Sequence, residues 1–143
     1  MTIATFMAEG HASCDELFTI AENLASAEDW SGVQTAFDAF VAEIETHFKR
    51  EEDLLFPKLE SRMGSGGGPT QVMRMEHEQM RGLIAGMKEL VTAQDKDEVL
   101  GEAETLLILM QQHNMKEEQI LYPMIDQMLA AETDAVMSEL KKI

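Results

Sequence analysis

The chain has 143 residues, 45% of them apolar, with 27 acidic against 11 basic side chains and a net charge of −16. That length supports one domain burying about 68% of the surface its unfolded form would expose. So acidic a balance excludes nucleic acid and anionic membrane as expected partners, and the single cysteine, Cys14, excludes an intrachain disulfide and a cysteine-built metal cage.

The opening "MTIATFMAEG" has no basic start and no apolar run of signal-peptide length, and nothing downstream approaches the ~20 apolar residues of a membrane span, so a cytoplasmic location is expected. Apolar residues recur at three- and four-residue steps almost throughout. The periodicity predicts helices over about 3–27, 32–60, 70–93 and 98–129, with a short fifth near 134–142, and no strands. The expected fold is all-α: an up-down-up-down four-helix bundle in one domain over 1–143.

Local chemistry sets the breaks. "SAEDWSG" ends the first segment, and "SGVQ" reads as a capping box with Ser31 at N-cap and Gln34 at N3. "RMGSGGGPT" is the clearest loop, with Pro69 suited to the first turn of the next helix. "AQDKDE" closes the third segment and puts acidic residues at the start of the fourth. Pro57 and Pro123 fall where each is expected to kink its helix. The fifth segment places Val136, Leu140 and Ile143 at helical spacing, free to dock on the bundle or on a partner.

A shift of 66 residues aligns His11 with His77, His47 with His113 and Glu51 with Glu117, and carries "EEDLLFP" onto "EEQILYP". The chain thus reads as two helical hairpins, about 5–60 and 70–126. In an antiparallel bundle, residues equidistant from the turn joining their helices share a height. Residue 29, midway between His11 and His47, and residue 95, midway between His77 and His113, both fall in predicted loops. All four histidines therefore belong to one layer, and each glutamate of the i, i+4 pairs His47–Glu51 and His113–Glu117 lies about 5–6 Å along the same face.

A lone histidine on an apolar stripe is ordinarily a hydrogen-bonded core residue. A glutamate there is harder to accommodate. The second helix runs Val33, Phe37, Phe40, Ile44, His47, Glu51, Leu54 and the fourth runs Val99, Ala103, Leu106, Met110, His113, Glu117, Ile120, with no lysine or arginine on either stripe. An unpaired buried carboxylate costs several kcal/mol even after relaxation, so two of them at one level call for cations. Nitrogen and oxygen donors without thiolates suit iron, and also manganese or zinc. With two six-coordinate irons, four histidines, two bridging glutamates and one oxo or hydroxo bridge leave coordination positions open, as a reaction or binding centre requires and a structural staple does not.

The other polar and soft residues have plainer readings. Cys14 and the equivalent Met80, the remaining methionines, and the matched pair Phe56 and Tyr122 are expected to pack. Glu52 and Glu118 point about 100° from the core glutamates and are expected to be solvated, with Lys49, Arg50 and Lys116 on the same outer surfaces.

His11, the "HFKRE" of 47–51, His77 and the "HNMKE" of 113–117 resemble the two-repeat pattern of the hemerythrin-like HHE cation-binding family over about residues 5–125. The resemblance implies a bundle holding a non-haem di-iron centre, with His11, His47, His77 and His113 as terminal ligands and Glu51 and Glu117 as bridging carboxylates. The four-histidine, two-glutamate set is most similar to the di-iron domain of iron–sulfur cluster repair proteins. The expected function is binding or reduction of oxygen, peroxide or nitric oxide, with an electron-donor protein where the site turns over. A sensor or binding protein without turnover, and an iron donor for cluster repair, are the alternatives.

Overall fold

A computed structural model describes residues 1–64 and 68–143; the core of the glycine loop, 65–67, lies outside the described residues. Helix α1 is Ile3–Ser26. Helix α2 runs Trp30–Arg50, widens into a π turn at Glu51–Leu55 and resumes as Phe56–Met63. Helix α3 is Pro69–Thr92. Helix α4 runs Lys96–Lys116, widens at Glu117–Leu121 and resumes as Tyr122–Met128, and a 3₁₀ turn leads to the short α5, Thr133–Leu140. The all-α bundle with a short C-terminal helix is thus the observed architecture. Among the described residues, no helix is long and apolar enough to cross a membrane.

The helix starts correct one expectation. Asp29, not Ser31, caps α2, its carboxylate accepting from the Gly32 N–H at 3.2 Å. Aspartate caps as well as serine does, and it stands at the point where the chain leaves the turn. Asp95, 66 residues on, caps α4 in the same way, accepting from the Glu98 N–H at 3.3 Å. The residues just before these caps, Glu28 and Gln94, are both left-handed, with φ 58° and 54°. At the far end of the bundle Asp126 of α4 accepts from the backbone N–H groups of Ile3 and Ala4, tying the start of α1 to α4.

Pro57 and Pro123 each follow a π turn. A proline inside an α-helix lacks the N–H and collides with the carbonyl four residues back. Here the preceding residue bonds five back instead: Phe56 N–H donates to the Glu51 carbonyl, and Tyr122 N–H to that of Glu117. Each turn therefore absorbs one extra residue, and the apolar stripe shifts phase beyond it. Ile120, placed on the α4 stripe by regular periodicity, is 58% exposed, while Leu121, Tyr122 and Ile125 are buried.

Two large apolar clusters result. One contains Ile3, Met7, Leu55, Phe56, Leu59 and Leu121; the other contains Cys14, Phe18, Phe37, Phe40, Met80 and Leu106. Cys14 and Met80 pack there as expected, and burial pushes the Cys14 thiol up to about 12, leaving it protonated and unreactive. Among the described residues, seven buried ones are polar or charged, and they include all four histidines with Glu51 and Glu117. Helix α5 docks on the bundle through Val136 and Leu140, whereas Ile143 stays partly exposed. Arg50 spans the junction, donating from Nε to the Leu140 carbonyl at 3.2 Å, with its guanidinium 5.1 Å from the centre of the Phe6 ring. Because Leu140 is fully buried, Leu140→Ala should cost about 2–5 kcal/mol. Urea denaturation measures it, and an unchanged midpoint would mean the helix contributes nothing to the core.

Candidate metal centre

Each hairpin delivers two imidazoles to the buried layer. The rings of His11 and His47 are 4.5 Å apart between centroids, and those of His77 and His113 are 4.9 Å apart. Two carboxylates from α2 and α4 lie among them. Glu117 Oε1 is 3.0 Å from His11 Nε2 and 3.2 Å from His113 Nε2, so one carboxylate reaches both pairs. Glu51 Oε1 is 3.0 Å from His77 Nε2, and its Oε2 is 3.8 Å from His47 Nε2. The potential donor atoms fall into two groups, Glu51–His77–His113–Glu117 and His11–His47–Glu117, with the atoms of each group within 4.8 Å of one another. All six residues of the sequence pattern meet here.

The donor set fits a cation. Glu51 Oε1, Glu117 Oε2, His77 Nε2 and His113 Nε2 are buried with no hydrogen-bond partner, because the short approaches among these groups lack hydrogen-bond alignment. Each orphaned polar atom costs about 1–3 kcal/mol when nothing engages it. Lone pairs of four residues directed into one dry layer form a site for positive charge. Burial, and secondly the Glu117 charge, push the Glu51 carboxyl well up. On Glu117 burial acts the same way but is outweighed by its close contacts with Glu51, His11 and His113, which hold it well below the usual range. Without metal, the two buried carboxylates resist ionising together.

Burial, aided by His11, lowers His47 to about 3, and burial, aided by His113, lowers His77 to about 4, from 6.5. In metal-free protein the unfolded chain therefore takes up two protons below pH 6.5 that the fold refuses. Each such uptake removes about 1.4 kcal/mol of stability per pH unit as pH falls. Glu51 acts oppositely from its ordinary 4.5 upward, because the folded chain keeps a proton that the unfolded chain releases. The net expectation between pH 6.5 and 4.5 is a loss of stability as pH falls, because two histidine protons outnumber the one carboxyl proton. Urea midpoints of chelator-treated protein across that range test it; a midpoint rising with acidity would contradict the sign.

Three carboxylates that periodicity does not place at the site form an outer ring. Glu52 accepts from His77 Nδ1 at 2.6 Å, Glu118 from His11 Nδ1 at 2.7 Å, and Glu76 from His113 Nδ1 at 2.8 Å. Glu52, expected to be solvated, is largely covered and bonds to a histidine of the opposite hairpin; Glu118 is exposed as expected, at 44%, and bonds to one as well. A direction about 100° off the stripe of one helix brings a long side chain within reach of the neighbouring helix when the bundle is this narrow. Lys116 is likewise not a free surface charge but an ion-pair partner of Glu76.

Tyr122 is the other correction. Its hydroxyl donates to Glu51 Oε2 at 2.7 Å and stands 3.0 Å from Glu117 Oε1, 3.0 Å from His47 Nε2 and 3.2 Å from His11 Nε2. In a regular helix the residue five after Glu117 would point about 140° away, but removing the one extra residue of the π turn leaves about 40°, on the same face. The signal was available in the sequence as a proline directly after the aromatic residue. Phe56, its counterpart in the first hairpin, has no hydroxyl and stacks 5.8 Å from His77.

Neither curated proteins nor solved structures give a significant match to the chain. A family model described as the hemerythrin HHE cation binding domain matches residues 2–125, a span that holds all six inward-facing donors and Tyr122. With that match covering most of the chain, and a buried layer of imidazoles and carboxylates at the centre of its bundle, the protein belongs to the hemerythrin HHE cation-binding domain family.

Proposed function

We propose that this is a non-haem di-iron protein that binds or reduces a small oxidant, oxygen, peroxide or nitric oxide, with His11, His47, His77 and His113 as terminal ligands and Glu51 and Glu117 as bridges. The observation that carries the reading is the sharing of Glu117 by two adjacent donor groups, since one carboxylate reaching both imidazole pairs suits a pair of metals. Histidine and carboxylate donors without thiolate favour iron over a purely structural ion. Bound iron would supply the redox electrons and the electrophilic position for the oxidant.

The chain's own residues do the rest. Glu52, Glu76 and Glu118 hold three imidazoles with Nδ1–H outward and the Nε2 lone pair inward, the tautomer a ligand needs. Phe48, stacked 4.0 Å from His77, and the apolar clusters on either side exclude water. Tyr122 holds a hydroxyl proton against Glu51, within reach of anything bound beside His11 and His47. A cytoplasmic location and an electron-donor protein belong to the same proposal.

Metal analysis together with the visible spectrum of the oxidised protein tests the metal: an oxo-bridged ferric pair absorbs where a zinc pair is silent. Stopped-flow mixing of reduced protein with each oxidant then separates turnover from binding. Repeated consumption with added reductant is the enzyme outcome, a stable reversible adduct is the sensor outcome, and inertness towards all three would sink the proposal.

A further inference from the structure

The two hairpins are not equivalent where they meet the site. Under the 66-residue shift, Glu76, which accepts from His113 Nδ1, corresponds to Gly10, and His47 Nδ1 is accordingly buried with no partner. A Cβ on Gly10 would come within 2.7 Å of that nitrogen, so the missing acceptor has no room to be replaced. The remaining outer carboxylates differ too. Arg81 clamps Glu52 through both terminal nitrogens, each at 3.0 Å. The residue equivalent to Arg81 is Asp15, and its charge and that of Glu118 repel each other. Glu118 is 44% exposed, against 21% for Glu52 and 13% for Glu76.

We propose that the two metal positions differ in affinity: the position at His77 and His113 is tight and fills first, and that at His11 and His47 is weak and exchanges with solvent. The inference rests on the metal-centre reading above. Metal on His47 Nε2 requires the proton on Nδ1, and that buried N–H then has no acceptor, a penalty His113 does not face. Loss of one such outer partner lowers metal affinity about 10–100-fold. Positive charge near the tight position does not reverse the order. Arg81 is neutralised by Glu45, Glu52 and Glu78, and Lys116 by Glu76. At metal concentrations between the two affinities the chain holds one ion, so chemistry needing two metals depends on metal supply.

The test is titration of the metal-free full chain with cobalt(II) against a competing chelator, with anomalous diffraction from crystals grown at one equivalent. Two steps separated by about 10–100-fold are expected, with the first ion between His77 and His113. Glu76→Ala should bring the steps together by weakening the first, while Glu76→Gln, which keeps an acceptor oxygen, should retain most of the separation. Equal occupancy of both positions, a first ion at His11 and His47, or no effect of Glu76→Ala would overturn the inference while leaving the metal centre standing. A chain that takes up no cobalt would overturn the metal centre itself, and this inference with it.

Discussion

Replacing Glu117 with alanine is expected to reduce metal content from the proposed two ions per chain to fewer than one, a larger loss than Glu51→Ala should produce. The difference follows from placement: Glu117 belongs to both donor groups, Glu51 to one. Removing Glu117 also strips His11 and His113 of their inward contact at 3.0 and 3.2 Å, and unengaged buried groups cost about 1–3 kcal/mol each. The affected step should weaken by more than about 100-fold, since a direct ligand matters more than the outer partners, whose loss costs about 10–100-fold. Elemental analysis of loaded, desalted protein measures the content, and far-ultraviolet circular dichroism shows whether the helices persist. Two ions retained by a folded Glu117→Ala chain would remove the bridging role.

If the proposed di-iron site turns over, Tyr122→Phe should leave its metal content unchanged and slow consumption of the oxidant about 10²–10⁴-fold, the usual range for loss of a positioned proton donor. The phenol is suited to that role by its place, with the hydroxyl donating to Glu51 and standing 3.0 and 3.2 Å from His47 Nε2 and His11 Nε2; in metal-free protein burial, followed by the Glu51 and Glu117 charges, pushes its ionisation well above the ordinary value. Phenylalanine already occupies the equivalent position 56 and packs there without exposure, so the fold should tolerate the change. Stopped-flow absorbance gives the rate. An unchanged rate would remove Tyr122 from the mechanism. If instead the variant loses a visible charge-transfer band with its metals in place, the phenol is a ligand and not a proton donor.

How much of this the sequence disclosed depends on distance along the chain. Helix positions and the shared height of the four histidines were legible because both follow from local periodicity and from counting outward from the turns. The unaccounted glutamates on two apolar stripes were legible because nothing on those stripes neutralises them. Glu52, Glu76 and Glu118 were not, since their partners lie on other helices, 25, 37 and 107 residues away. The capping aspartate at 29 was missed because Ser31 offered an equally good local motif two residues later. Tyr122 was missed because a uniform helical period carries it off the core face, and only the π turn before Pro123 returns it.

By itself, then, the order of residues determined an all-α bundle, a two-fold pattern of histidine and glutamate, and the level at which they gather, because helical repeat and turn length are properties of contiguous chain. Tertiary structure decided which imidazoles gain an outer carboxylate, that a phenol joins one end of the layer, and that α5 closes over the core. Those outcomes depend on the rotation of one helix against another and on a single added residue in each π turn, which no periodic pattern encodes.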